Sequence, residues 1–301
     1  MAISLQVQSV IYNNEKDSLL RALRNLANAI RVDREGAGEV GEVTVLYGDA
    51  SPEAVFSGEE IAAVGREFAP FFRFRYIFFG ENTGSAKGHN RLGAECSSDY
   101  LMIMNPDVIV SPRFFSGMLR PLLDPSRGVG MTEARQTPLE HPKEYNRRTL
   151  ETAWSTTACV IFSAETFRAV GGFDSDTFFL YCDDVDFSWR VRLLGKKLCY
   201  CPDCPVYHAK RLSGTGSWQP TSAEVYYSLE ASLLMAYKWS FDARFHELLD
   251  RFSVSSDPLE QKVYRSWEER RRSGRLPQRL DPSHRVGRLV GENYAAHRYT
   301  L

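Results

Sequence analysis

The sequence has no apolar run near the ~18–20 residues that a membrane-crossing helix needs. Nor does a basic stretch precede the apolar residues of its N-terminus, MAISLQVQSVIYNNEKD, so neither a transmembrane segment nor a secretory leader is expected. Net charge is also lacking: 37 Lys and Arg stand against 38 Asp and Glu, a formal −1, which argues against a protein that coats nucleic acid. Internal repeats and low-complexity tracts are absent, and 43% hydrophobic with 25% charged residues excludes disorder and collagen-like structure. Six cysteines in 301 residues do not make a disulfide scaffold. Without a leader they fit free thiols in a reducing, cytoplasmic compartment. Missing too are a phosphate-binding P-loop and the GxGxxG dinucleotide fingerprint. The chain is long enough for one large α/β domain, alone or with a smaller appendage.

What is present alternates. Leu5 to Ile11 is rich in strand formers and runs into the turn Tyr12-Asn13-Asn14, with Asn13 or Asn14 placed to cap a helix. Leu19, Leu20, Leu23, Leu26, Ala27 and Ile30 then mark one face of that helix. Val43–Tyr47 and Phe72–Phe79 read as strands around a helix at Ile61–Phe68, and Tyr100–Met104 as a strand buried on both faces. This alternation predicts a parallel sheet with crossover helices and a ligand site beyond the carboxyl ends of its strands. The loops at 12–14, 48–51 and 80–90 would converge there. Residues 125–150 are polar and irregular and read as a mobile loop over a site. Leu198–Cys201 and Val206–His208 read as two short extended pieces. A helix is expected over about 184–194, and amphipathic helices follow Gly216.

Several constellations could carry chemistry. Asn105-Pro106-Asp107 delivers a carboxylate to the mouth of a buried strand, where it suits Mg²⁺ or Mn²⁺ on a diphosphate; the same residues also make an ordinary turn. Asp183-Asp184-Val185-Asp186 sets three acids at a helix start, which either complement the helix dipole or raise one another's pKa as a general base requires. His208 stands beside a cationic loop with Lys210 and Arg211, a lid for a leaving phosphate or a plain surface linker. Gly80–Asn90, with three glycines and two amides, permits close backbone approach to a ligand. Cys199, Cys201, Cys204 and His208 have the composition of a zinc site, but not the paired CxxC spacing of structural zinc.

The order of these segments is more specific than any one of them. An Asn-rich turn after the first strand, then GDAS, ENTGSAKGHN, YLMIMNPDV and GGFDSDTFFLYCDDVDFSWRVRLLGKKLCYCPDCPVYH, resembles the family 2 inverting, nucleotide-sugar-dependent glycosyltransferases of GT-A fold. Within that family it looks most like bacterial rhamnosyltransferases and other cell-surface polysaccharide enzymes. The resemblance implies an α/β, Rossmann-like, mainly parallel mixed sheet over residues 1–216. Residues 1–110 would bind the nucleotide sugar and 111–216 the acceptor, with 217–301 a helical, basic extension. It implies Asp184 as the general base, and Asp183, Asp186 and Trp154 as acceptor contacts. Asp107 and His208 would hold Mn²⁺ or Mg²⁺, Asn105 replacing the first acid of the Asp-x-Asp motif. Tyr12, Asn13, Asp49, Gly84, Lys87, Asn90, Asn105, Lys210 and Arg211 would meet the donor. The donor would be a dTDP-, UDP- or GDP-sugar, with rhamnose or another deoxysugar favoured by the NPDV variant. The acceptor would be a glycan or lipid-linked glycan.

Two other classes compete. A non-catalytic carbohydrate-binding protein would share the fold, though it would have no need of Asp107, Asp184 and His208 together. A sugar-phosphate nucleotidyltransferase would carry a glycine-rich loop with Arg after the first strand, where Tyr12-Asn13-Asn14 stands. The near-neutral total conceals a basic end: from Lys262 onward there are ten Lys and Arg against four Asp and Glu. That end could touch the anionic inner face of the cytoplasmic membrane, or form a solvated or oligomer-forming face.

Overall fold

The computed structural model describes residues 2–297, 299 and 300. The chain opens with β1 (Ile3–Ile11), in which Leu5, Val7 and Ile11 have no exposed surface. Helix α1 (Lys16–Glu35) follows, burying Leu19, Leu23, Leu26 and Ile30. Its cap position is Glu15, not Asn13 or Asn14. Asn13 takes a left-handed φ of 53°, and the Asn14 side chain accepts from Tyr12 N at 2.8 Å, so both asparagines shape the turn ahead of the helix. Strand β2 (Val40–Asp49), helix α2 (Gly58–Phe68) and strand β3 (Arg73–Phe78) continue the alternation. A capping box between Ser57 and Glu60 starts α2. Helix α3 (Gly84–Ala94) leads to β4 (Tyr100–Met104) and the short β5 (Val108–Val110).

Residues 84–90 are therefore helical and not the ligand loop expected from their glycines. The small residues serve helix packing. A Cβ on Gly88 would lie 2.6 Å from the Val10 side chain, and one on Gly84 would lie 2.4 Å from the Phe179 carbonyl. Only glycine lets α3 approach β1 and the 179 loop so closely.

Helix α4 (Phe114–Leu123) precedes β6 (Val129–Thr137), and then come β7 (Glu151–Thr152), β8 (Cys159–Ser163) and α5 (Ala164–Val170). Strand β6 lies inside the span read as a mobile loop. It has few apolar residues because its buried positions include Thr132, Glu133 and Gln136, which are satisfied by polar partners within the fold. Helix α6 (Asp183–Leu193) and strand β9 (Lys197–His208) follow. The two short pieces expected after Leu198 are one strand, with a register shift where Ala134/Arg135 of β6 face Cys201/Pro205.

The sheet is mixed, in the order β3-β2-β1-β4-β8-β6-β9-β5, with β7 on β9. Its β3–β2–β1–β4 half is parallel, as expected; β8 joins antiparallel to β4, and β6 runs parallel to β9. The chain winds outward from β1 to β3 and then returns to the other side of β1 with β4. The carboxyl ends of β1 and β4 thus flank the switch point where open α/β sheets hold ligands. Residues Tyr12–Asn14 and Asn105–Asp107 leave from those two ends.

Helices α7 (Ser222–Lys238), α8 (Asp242–Val254) and α9 (Pro258–Arg272) complete the fold. They share one hydrophobic cluster with α6, in which the Trp189 and Trp239 rings meet edge-on at 5.0 Å. Many arginines of the basic end are paired within the protein. Arg271 and Arg272 meet Glu268, Arg275 meets Glu269, Arg279 meets Asp242 and Arg288 meets Glu144. Among the described residues no helix is long and apolar enough to cross a membrane.

Candidate active site

The first group forms where β4 ends. The pairing of β5 with β9 sets Val108 opposite His208, which brings the imidazole beside Asp107. His208 Nε2 lies 3.5 Å from Asp107 Oδ1 and 3.3 Å from Asn105 Nδ2. His208 Nδ1 lies 2.6 Å from Gln136 Oε1. Burial, reinforced by the positive charge of Lys210, pushes the His208 pKa down to about 3, so the ring is neutral and its contact with Asp107 is no ion pair at pH 7. Burial raises the Asp107 carboxyl above the ordinary range. A carboxylate short of solvent beside a neutral imidazole is a pair of donor atoms in want of a cation.

The second group opens α6. Tyr181 and Cys182 both take left-handed φ values, 67° and 56°, and this kinked entry sets Asp183 and Asp184 at the first turn. Asp184 Oδ1 accepts from Val185 N at 2.8 Å. Asp183 is held by Ser85, yet its Oδ2 is buried with no hydrogen-bond partner. Burial raises both carboxyl pKa values, and the charge of Asp183 raises that of Asp184 further. Lys210 is solvent-exposed, and its ammonium stands within electrostatic reach of Asp107, Glu224 and Asp184. Tyr12, 48% exposed, stands at the end of β1, and Asn13 N donates to Ser51 Oγ at 2.8 Å.

Other residues expected at the site are occupied elsewhere. Asp49 is fully buried, accepting from Ser51 N at 2.9 Å, Val55 N at 2.8 Å and the Tyr76 hydroxyl. It shapes the loop after β2 and has no oxygen left for a base or ribose. Asn90 makes a two-point clamp on the backbone of Phe173, donating to its O and accepting from its N, each at 2.7 Å. Gly84 is packed on Phe179, and Lys87 is drawn to Glu81 at 3.1 Å. Arg211 pairs with Glu224, the residue that also caps α7. Trp154 is buried under Tyr294, their rings 4.9 Å apart, and the Lys143 ammonium sits 3.4 Å from its ring centre, leaving no face for an acceptor sugar.

Asp186 is the plainest correction. It has no exposed surface and binds Arg190 Nε at 2.7 Å, Lys238 Nζ at 2.6 Å and Trp239 Nε1 at 3.0 Å. Two residues along a helix turn the side chain about 200° from Asp184. Asp186 therefore anchors α6 to α7 and does not face an acceptor.

Sequence reading missed Glu133, Gln136, Lys143 and Tyr294. Glu133 and Lys143 form an ion pair at 2.7 Å with side chains 0% and 3% exposed. Tyr294 is close enough to Asp184 that the charge of the acid, after burial, raises the phenol pKa. Polar residues in an apparently irregular stretch carry no periodic signal, so nothing in the sequence marks these four. Among the described residues no three His, Cys, Asp or Glu side chains converge on a point where they alone could hold a metal ion. The thiols of Cys199, Cys201 and Cys204 are free and buried, as small apolar residues would be.

The comparisons with known proteins agree with this fold. The chain resembles the crystal structure of GalNAc-T7 with UDP, GalNAc and Mn²⁺ at TM-score 0.63 and 12% identity, over 92% of this chain and 56% of that one. It also resembles the mannosyltransferase PcManGT from Pyrobaculum calidifontis in complex with GDP-Man and Mn²⁺, at 0.52 and 16%, over 91% and 82%. S. aureus TarS matches at 0.51 and 12%, over 84% of this chain and 44% of that one. The chain thus spans little more than half of the first of these structures. At such identities the likeness shows the shared fold. No curated protein sequence matches. The family model described as glycosyl transferase family 2 matches residues 10–180, more than half the chain, a span that includes Asn105–Asp107 and ends just before Asp183, and the protein belongs to that family.

Proposed function

We propose that the chain transfers a sugar from a nucleoside diphosphate donor to a glycan hydroxyl, with divalent-cation assistance and inversion at the anomeric carbon. The observation that carries this reading is the pair formed by Asp107 and neutral His208 at the end of β4, with a second acidic pair, Asp183 and Asp184, at the start of α6 and Lys210 within electrostatic reach of both Asp107 and Asp184. Two protein ligands are too few for a closed metal site. They suit Mg²⁺ or Mn²⁺, which keeps water and substrate phosphates as its remaining ligands. When bound there, the cation supplies neutralisation of the leaving diphosphate. The similar structures solved with UDP or GDP-Man and Mn²⁺ support the same donor class.

The chain's own residues divide the remaining work. Lys210 adds positive charge beside the departing phosphate. Asp184 takes the proton of the acceptor hydroxyl as its oxygen bonds to the anomeric carbon and the bond to phosphate breaks. The unpartnered Oδ2 of Asp183 accepts a hydrogen bond from the acceptor. A single displacement of this kind inverts the sugar. A dTDP-, UDP- or GDP-sugar fits the donor side, with a dTDP-deoxysugar such as rhamnose first to try, and the acceptor is a growing or lipid-linked surface glycan. Each donor class, incubated with the protein and Mn²⁺, should be screened for release of free nucleoside diphosphate. Release that EDTA stops is expected from one class. No release from any of them overturns the proposal.

The acid pair also fixes the pH response. Asp184 works only when deprotonated, and its folded pKa is raised, so activity falls as pH drops through a value above that of an ordinary carboxyl. Asp183→Asn removes the neighbouring charge. The acid limb of kcat/KM should then move to lower pH, and a limb that stays in place would show that Asp183 does not set it.

A further inference from the structure

The hydrogen bond from His208 to Gln136 belongs to a longer chain. Gln136 Nε2 lies 2.9 Å from Thr156 Oγ1, and Thr156 Oγ1 lies 3.1 Å from Glu133 Oε1. Glu133 also accepts from Thr156 N at 3.1 Å, and its other oxygen faces Lys143 Nζ at 2.7 Å. The donor and acceptor roles along this chain are not free. A carboxylate only accepts, so the single hydroxyl proton of Thr156 points at Glu133. The Thr156 oxygen can then only accept, which turns the NH₂ end of Gln136 toward it. Gln136 therefore shows its carbonyl oxygen to His208 Nδ1, and that nitrogen must carry the ring proton. Nε2 is left with a lone pair, 3.3 Å from Asn105 Nδ2, which can donate to it, and 3.5 Å from Asp107 Oδ1. Reversing Gln136 would set its oxygen against a hydroxyl whose proton is already committed, leaving a buried bond unmade.

We propose that Glu133, acting through Thr156 and Gln136, holds His208 in the Nδ1-protonated tautomer and so makes Nε2 a ligand for the divalent cation shared with Asp107. The inference rests on the reading of Asp107 and His208 as a cation site. Glu133 is a positioning residue: it touches neither donor nor acceptor. A carboxylate that orients a metal-binding imidazole usually bonds the ring directly. Here the instruction passes through a hydroxyl and an amide from β6, the strand next to β9. Lys143 meets the other oxygen of the starting carboxylate, and is itself held by Trp154, through its carbonyl at 2.9 Å and its ring.

Two conservative variants test this without disturbing the ion pair. Thr156→Val keeps the shape but removes the hydroxyl that orients Gln136; Gln136→Leu removes the acceptor at Nδ1. In metal-free protein, ¹⁵N NMR of the imidazoles, with His208→Gln to assign the resonance, should show His208 as a single Nδ1-protonated tautomer. Both variants should give a tautomer mixture. Mn²⁺ affinity, read by the paramagnetic resonance of the free ion, should fall by about 10–100-fold in each. An Nε2-protonated His208 in the parent protein, or an unchanged tautomer and affinity in Thr156→Val, would overturn the inference. A parent protein with the expected tautomer but no Mn²⁺ binding would instead overturn the cation site on which it rests.

Discussion

Asp184→Asn should lower sugar transfer by about 10²–10⁴-fold, the range for losing a positioned general base. The substitution keeps the shape of the side chain and the bond from Val185 N to Oδ1. What it removes is the ability to take a proton. The proposed donor site around Asp107, His208 and Lys210 is built by other elements, so binding of the nucleotide sugar, measured calorimetrically with Mn²⁺, should be close to that of the parent. Folding stability should hold or rise, because one of two crowded carboxylates loses its charge. A variant with weakened donor binding and undiminished turnover would remove Asp184 from the chemistry.

The second large effect lies two residues away and is of the opposite kind. Asp186→Ala should cost about 3–5 kcal/mol of stability, the range for breaking a buried ion pair from one side. Arg190 would lose its acid, and Lys238 would keep only Asp174, at 2.6 Å. The Trp239 indole N–H would also lose its acceptor. Urea unfolding should show the loss as a lower midpoint, smaller in Asp186→Asn, which keeps an oxygen for Trp239. Parent-like unfolding of Asp186→Ala together with lost acceptor affinity would instead return Asp186 to the acceptor role that its place in the motif suggests. The contrast between the two positions follows from helix geometry alone. Asp184 faces the site, and Asp186 faces α7 and the core.

That contrast shows what the sequence could convey. The elements from β1 to β4 were legible because their apolar residues repeat at strand and helix periods and Asn-rich or Gly-rich turns separate them. The placing of Asp107 at a strand mouth was legible for the same reason. Strand β6 was not, since Glu133, Gln136 and Thr132 put polar groups where a core strand normally carries Val or Ile; only the folded protein supplies their partners. The misplaced site residues share a cause. Asp49, Asn90 and Asp186 are polar groups beside a ligand-binding edge, and a side chain that ties backbone or cation inside the fold has the same spelling as one that faces a ligand. The resemblance to a family located the two acidic segments, and the structure sorted their members by direction.

The pairing of Val108 with His208 has a temporal meaning as well as a spatial one. These positions are 100 residues apart. During synthesis at about 5–20 residues per second, roughly 5–20 s separate the emergence of Asp107 from that of His208. In that interval β1 to β4 are all available to pair with one another, although β4 still lacks β8 on its other edge. Asp107 and His208 cannot yet meet, because the second of them arrives on the last strand of the sheet. On the proposed reading, a nascent or truncated chain would hold the parallel strands without the Asp107–His208 pair that grips the diphosphate, so transfer would require β9 in place.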